Sequence, residues 1–164
     1  MIQAVVFDLD GTLLDLPIDY PKMFSKFKAI IGIEEVQPIL KTVAEIKEPQ
    51  TKRRVFEAWE KFELAIIGKI TVHEEGMKLY KEYANKPRAL ASMQGKKTIS
   101  IILAKFNLSF DVVLTREDVF SRVEQLKMAA EKLGVEVRDV LFVGNLDNDE
   151  NAAREVGCQF LRVK

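Results

Sequence analysis

The sequence predicts an α/β fold, a central parallel sheet with a block of helices inserted after the first strand. Three observations lead there. Short apolar, β-branched runs recur along the chain, each beside a segment with helical spacing. Residues 16–70 carry helical periodicity and no strand signal. The length, 164 residues, suffices for one core with a modest insertion and excludes a third independent domain.

Residues 2–7, Ile-Gln-Ala-Val-Val-Phe, form a mostly apolar run that stops at Asp8-Leu-Asp-Gly, the pattern of a buried parallel strand ending in a loop. Three amphipathic helices follow. Their apolar stripes are Met23, Phe24, Phe27, Ile30 and Ile31; then Val36, Leu40, Val43 and Ile46; then Val55, Trp59, Phe62 and Ile66. Pro17, Pro21, Pro38 and Pro49 lie at or near the helix starts, where a missing N–H is tolerated. The charged stretch Lys52 to Lys61 reads as the solvated face of the third helix. Glu74 to Ala84 begins the return to the sheet, whose further strands are expected at Arg88 to Ser92, Phe110 to Thr115, Asp139 to Val143 and Cys158 to Val163. Residues 1–15 and 71–164 are thus the expected core and 16–70 the expected insertion.

With 48% hydrophobic and 30% charged residues, the chain supports a packed interior and is not of the disordered class. Basic and acidic residues balance at 25 each, so no net positive field draws in nucleic acid or an anionic membrane. Apolar runs such as Ile99 to Ala104 fall far short of a span of about 20 residues, and no basic region precedes the apolar run at Ile2. A cytoplasmic location is expected. A single cysteine, Cys158, excludes an intrachain disulfide and is expected as a small buried hydrophobe in a reducing compartment. Neither the glycine pattern of a dinucleotide site nor that of a P-loop is present.

Asp8 and Asp10 should both emerge at the C-terminal end of a buried strand, where α/β sheets place their ligands. Two apart in an extended segment, they can share one site. A carboxylate can attack phosphorus and split a hard displacement into two easier steps, while a second carboxyl gives a proton to the leaving oxygen. Gly11 permits the sharp turn that follows. Taken alone, Asp-x-Asp-Gly is equally a pair of solvated turn aspartates. Ser92 closes a later strand before a helix starting at Gly95, so its hydroxyl and the nearby N–H groups could hold phosphate oxygens. A serine there is also a common helix cap.

The full string Val5-Val-Phe-Asp-Leu-Asp-Gly-Thr-Leu-Leu14 resembles the first motif of the haloacid dehalogenase (HAD) superfamily. The resemblance extends over essentially the whole chain, with a second motif at Arg88 to Ser92, a helix, a strand at Phe110 to Thr115 and a fourth motif at Leu141 to Asp149. It implies a HAD-like Rossmannoid core with a small helical cap at 16–70, and a magnesium-dependent phosphatase acting on a small phosphorylated metabolite. In that reading Asp8 is the nucleophile, Asp10 the general acid and base, and Ser92 a phosphate ligand. Asp8, Asp10, Asn145 and Asp149 would hold Mg2+.

Three positions depart from the family pattern. The third-motif lysine is missing: by spacing back from Gly134, Phe120 takes its place, leaving Arg122 as the nearest cation and Lys127 and Arg116 as weaker substitutes. Met93 stands where a polar residue often follows the serine, with Gln94 as a partial replacement. Asn145 replaces the first acid of the fourth motif. An amide oxygen can ligate a hard cation, but one negative charge is lost, so magnesium affinity should be lower than is usual for the family. Asp147 is either a compensating acid or a helix N-terminal one.

Two alternatives stay open. Carbon–halogen hydrolysis uses the same nucleophile without magnesium, but Asp10 argues against it, since a halide leaving group needs no proton. A binding or regulatory protein that kept the fold and lost efficient chemistry would also explain Phe120 and Asn145. Tyr20, Lys22, Arg53 and Arg54 are candidate anion contacts on the cap. His73 lacks a nearby metal partner, and Trp59 fits the apolar stripe of its helix. Neither the substrate nor the oligomeric state is specified.

Overall fold

The computed structural model describes residues 1–34 and 38–164. In chain order its elements are β1 (Ala4–Phe7), β2 (Leu14–Asp15), α1 (Tyr20–Ile31), α2 (Ile39–Ala44), α3 (Pro49–Leu64), β3 (Thr71–Val72), α4 (Glu74–Glu82), β4 (Arg88–Ala91), α5 (Lys96–Phe106), β5 (Val112–Leu114), α6 (Arg122–Leu133), β6 (Val140–Gly144), α7 (Asp147–Val156) and β7 (Gln159–Arg162). The main sheet has five parallel strands in the order β5-β4-β1-β6-β7. All five occur within a residue or two of the expected places. Val36, part of the second predicted helical stripe, lies outside the described residues.

Because β1 is flanked on both sides and covered on both faces, it reads as an unbroken apolar run, and all four residues are buried. Its pleat sorts side chains to opposite faces. Val5 and Phe7 join one buried cluster with Leu90, Leu141, Val143, Ile99 and Ile102, while Val6 joins another with Ala89, Ala91, Phe142, Leu126 and Ala153. The first cluster runs on into the inserted helices through Met23, Phe27, Val55 and Trp59. Sheet and insertion therefore share one interior on that face.

Local chemistry sets the helix ends. The Asp19 carboxylate accepts from the Lys22 N–H with Pro21 in the first turn of α1, and Gly32 ends it in the left-handed region. The Glu48 carboxylate accepts from Gln50 and Thr51 ahead of α3. Ser121 caps α6 by accepting from the Glu124 N–H. The sequence did not signal one feature: β2 and β3 pair antiparallel, Leu14 opposite Val72 and Asp15 opposite Thr71, at the two ends of the segment 16–70. Two residues per strand are too few for a legible alternation. Cys158 is half-buried rather than fully buried, and burial pushes its thiol up to about 11. Among the described residues no helix is long and apolar enough to cross a membrane.

Candidate active site

The end of β1 positions the first two carboxylates. The Asp8 N–H donates to the Val143 carbonyl at 2.9 Å, extending the β1–β6 pairing by one residue, and the chain then turns as Thr12 and Leu13 donate to the Leu9 carbonyl. Gly11 makes this turn at φ 78°. A Cβ there would also collide with the Asn145 side chain, so the position needs glycine for conformation and for space. The buried Thr12 hydroxyl donates to Asp8 Oδ2 at 3.2 Å.

Arg122, the first residue of α6, enters the site from across the sheet. Its Nη2 donates to Asp8 Oδ1 at 2.8 Å and its Nε to Asp149 Oδ1 at 3.1 Å. Its Nη1 is held by the Ala91 carbonyl at 2.6 Å and Gln125 Oε1 at 2.9 Å. Asp149 is itself buried, and its Oδ2 accepts the backbone N–H groups of Asn145 and Leu146 at 3.2 Å each. The guanidinium thus links the ends of β1, β4 and β6.

One terminal atom of the Asn145 amide lies 3.2 Å from Asp8 Oδ2 and 3.3 Å from the Asp10 carbonyl. With nitrogen there, the amide donates to both oxygens. With oxygen there, three oxygens converge and the Thr12 hydroxyl lies 3.4 Å from the amide oxygen, an arrangement that an intervening cation or a proton on Asp8 makes favourable.

Asp10 is half-buried. Its Oδ1 accepts the Leu16 N–H at 3.0 Å and its Oδ2 the Tyr20 hydroxyl at 2.6 Å. Burial raises its pKa above the ordinary carboxylate value, with the two hydrogen bonds acting in the opposite sense. Burial also pushes Asp8 up to about 7, with Arg122 opposing and Asp149 adding to the rise.

Asp8, Asp10, Arg122 and Asp149 line one cavity of about 190 Å3, together with Tyr20, Leu40, Trp59, Met93, Gln94, Leu146 and Asn148. Ser92 is buried beside it, its hydroxyl accepting the Gln94 N–H at 3.1 Å, and the neighbouring Met93 and Gln94 supply the lining. Asn145 closes on Asp8 from the β6 side without itself lining the cavity. The other sequence candidates lie elsewhere. Lys127 is exposed beside Glu124, Asp147 pairs with Arg162 on the surface, and Lys22, Arg53 and Arg54 are absent from the lining. Phe120 packs its ring on Phe56 and Trp59 of α3.

Arg116 has a different setting from the one expected. It forms a buried pair with Glu63 of α3, Nη1 to Oε2 at 2.7 Å, with its guanidinium over the Trp59 ring at 4.4 Å. Glu63 also accepts from the Thr98 hydroxyl at 2.9 Å and the Gly95 N–H at 3.2 Å. Sequence reasoning missed Glu63. Its signal was its place four residues after Trp59, on the apolar stripe of its own helix.

These observations define a Rossmannoid α/β protein with an acidic site at the C-terminal end of its central strand. The sequence model of the haloacid dehalogenase-like hydrolases matches residues 5–163, and the chain belongs to that family. Solved structures agree in fold. A hydrolase from Pseudomonas syringae matches with TM-score 0.73 and 20% identity over 97% of this chain and 82% of that one. A Lactobacillus plantarum protein described as a proposed phosphoglycolate phosphatase gives 0.67 and 20% over 98% and 85%. CbbY from Rhodobacter sphaeroides, solved with phosphate, gives 0.69 and 17% over 100% and 88%. No curated protein matches significantly in sequence.

Proposed function

We propose that the chain is a phosphatase that hydrolyses a small phosphomonoester through a phosphorylated Asp8, with Mg2+ as cofactor and the helices of 16–70 as its cap. The observation that carries this reading is the cavity itself, lined by Asp8 and Asp10, with a guanidinium 2.8 Å from the nucleophile. An Asp8 oxygen attacks phosphorus as the bond to the leaving oxygen breaks. Asp10, biased toward its protonated form by burial, gives its proton to that oxygen. Ionised Asp10 then takes a proton from water as the water attacks the phosphoryl group, releasing inorganic phosphate and restoring Asp8. Of an arginine's five N–H groups, Arg122 spends four on the protein, and the remaining one is available to a phosphoryl oxygen. The Ser92 turn, beside the cavity, would complete the phosphate cradle.

The residues fit magnesium when the Asn145 amide turns its oxygen inward. The Asn145 terminus, Asp8 Oδ2 and the Asp10 carbonyl, separated by 3.2 and 3.3 Å, are the hard oxygen donors that would hold the ion. Asp149 would support the ion from behind, by fixing the Asn145 backbone and Arg122. Bound there, the ion would screen the charge on Asp8 and the phosphoryl group. With its pKa near 7, Asp8 is only partly ionised at neutral pH, and an added cation favours the attacking form.

Arg122 supports a catalytic reading over a purely binding one, because it supplies the cation that Phe120 removed. A halide leaving group would leave the acid at Asp10 without a task. The test is hydrolysis of an aryl phosphate with and without millimolar magnesium by wild type and Asp8→Asn. Magnesium-dependent turnover lost in the variant is expected, and equal rates in the two proteins would refute the reading.

A further inference from the structure

We infer that the site selects monoesters whose leaving group is uncharged and largely carbon, and rejects those that carry a second anion. This deepens the phosphatase reading and rests on it for the position of the phosphoryl group. Beyond the three carboxylates and Arg122, the cavity is walled by Leu40 of α2, Trp59 of α3, Met93 and Leu146, with Tyr20, Gln94 and Asn148 as neutral polar neighbours.

A carboxylate or second phosphate on the leaving group would need a cation. Among the described residues that line the cavity, Arg122 is the one cation, and it already faces Asp8 and Asp149. Residues 35–37 are Glu, Val and Gln, so they bring none. Of the basic residues of the insertion, Lys26, Arg54 and Lys61 line one outer hollow and Lys52 and Arg53 another, while Lys22, Lys28, Lys41, Lys47 and Lys69 are absent from the lining of this cavity. An additional anion would therefore sit against apolar walls and face the Asp8 and Asp149 carboxylates, and burying an unpaired charge is strongly unfavourable.

Size narrows the class. About 190 Å3 lies below the range of roughly 300 to 1,000 Å3 of drug-sized pockets, which suits a phosphoryl group with a few carbons or a single ring.

The experiment is calorimetric titration of the full chain, in magnesium, with two non-hydrolysable probes, phenylphosphonate and phosphonoacetate. Wild type should bind phenylphosphonate about tenfold tighter or better, the factor that 1.4 kcal/mol gives. Leu40→Arg, and Leu146→Lys as a second variant, place a cation on the partly exposed rim and should narrow that ratio by tightening phosphonoacetate alone. Equal or tighter binding of phosphonoacetate by wild type overturns the inference, as does binding of neither probe. A preference for phenylphosphonate in a protein that does not hydrolyse phenyl phosphate would sink the catalytic reading and leave the selectivity standing.

Discussion

At the scale of single residues, the site stores its cost in Asp8. Its carboxyl is raised in the folded protein from 3.8 to about 7, so between those values the native state binds more protons than the unfolded chain. Stability from this group is present at pH 4 and lost as pH rises toward 7. Asp8→Asn, which keeps an acceptor for Arg122 while removing the buried charge, should abolish turnover and stabilise the fold at pH 7 by about 1–3 kcal/mol. Urea unfolding at pH 7 and pH 4 checks it: the gain should shrink at the lower pH, and a variant less stable than wild type at pH 7 would show that the Arg122 contact outweighs desolvation. Arg122→Met leaves Asp8 and Asp149 facing each other without a cation, and should lower kcat/KM at least about a hundredfold. The two aspartates of the first motif were legible as a string, because a strand end followed by Asp-x-Asp-Gly has few other meanings in that company. Arg122 was partly legible, since the Ser-x-x-Glu pattern at 121–124 marks a helix start and places an arginine in its first turn. The orientation of Asn145 was not, because it depends on oxygens supplied by β1 and on the space that Gly11 leaves.

At the scale of elements, α3 is tied to the loop after β4 by charge as well as by packing. Glu63 and Arg116 are both buried, and Glu63 reaches the Gly95 N–H and the Thr98 hydroxyl at the start of α5. Removing one partner leaves the other charge uncompensated, so Glu63→Leu should cost about 3–5 kcal/mol, and the double variant Glu63→Leu with Arg116→Met should recover most of that loss. Equilibrium urea unfolding of the single and double variants measures the difference, and additive losses would contradict it. Gly76 fixes a second junction. A Cβ on this α4 residue would run into the Thr12 carbonyl, so the helix lies directly on the first-motif turn. Gly76→Ala, which gains about 1 kcal/mol in an exposed helix, should instead destabilise by about 1–3 kcal/mol. Helix periodicity was readable for α1 and α3, whose apolar stripes are long. Their attachments were not, since a buried ion pair and a close backbone approach each depend on a residue distant in sequence.

At the scale of the whole molecule, alternation of strand and helix announced the parallel sheet, and the five strands fall where short apolar runs were found. The order of strands comes from the structure, with β1 at the centre and β4 and β6 on either side, so that the loops after all three meet over Asp8. That meeting explains how motifs spread along the chain come together at one point. The β2–β3 ribbon, clasping the ends of 16–70, lay below the length at which a pattern can be read. The apolar rim formed by Leu40, Trp59, Met93 and Leu146 was likewise invisible in sequence, because its members come from four separate segments.

Phosphorylation of Asp8 is the step on which the account turns. Asp10→Asn should remove the base that activates water while leaving attack on an activated aryl phosphate possible, so acid-quenched Asp10→Asn protein examined by mass spectrometry reports it most directly. The account predicts one added phosphoryl group on the peptide that contains Asp8, absent when Asp8 is also changed to Asn. An unmodified peptide from protein that still releases phosphate, or a phosphoryl group on another residue, would contradict it.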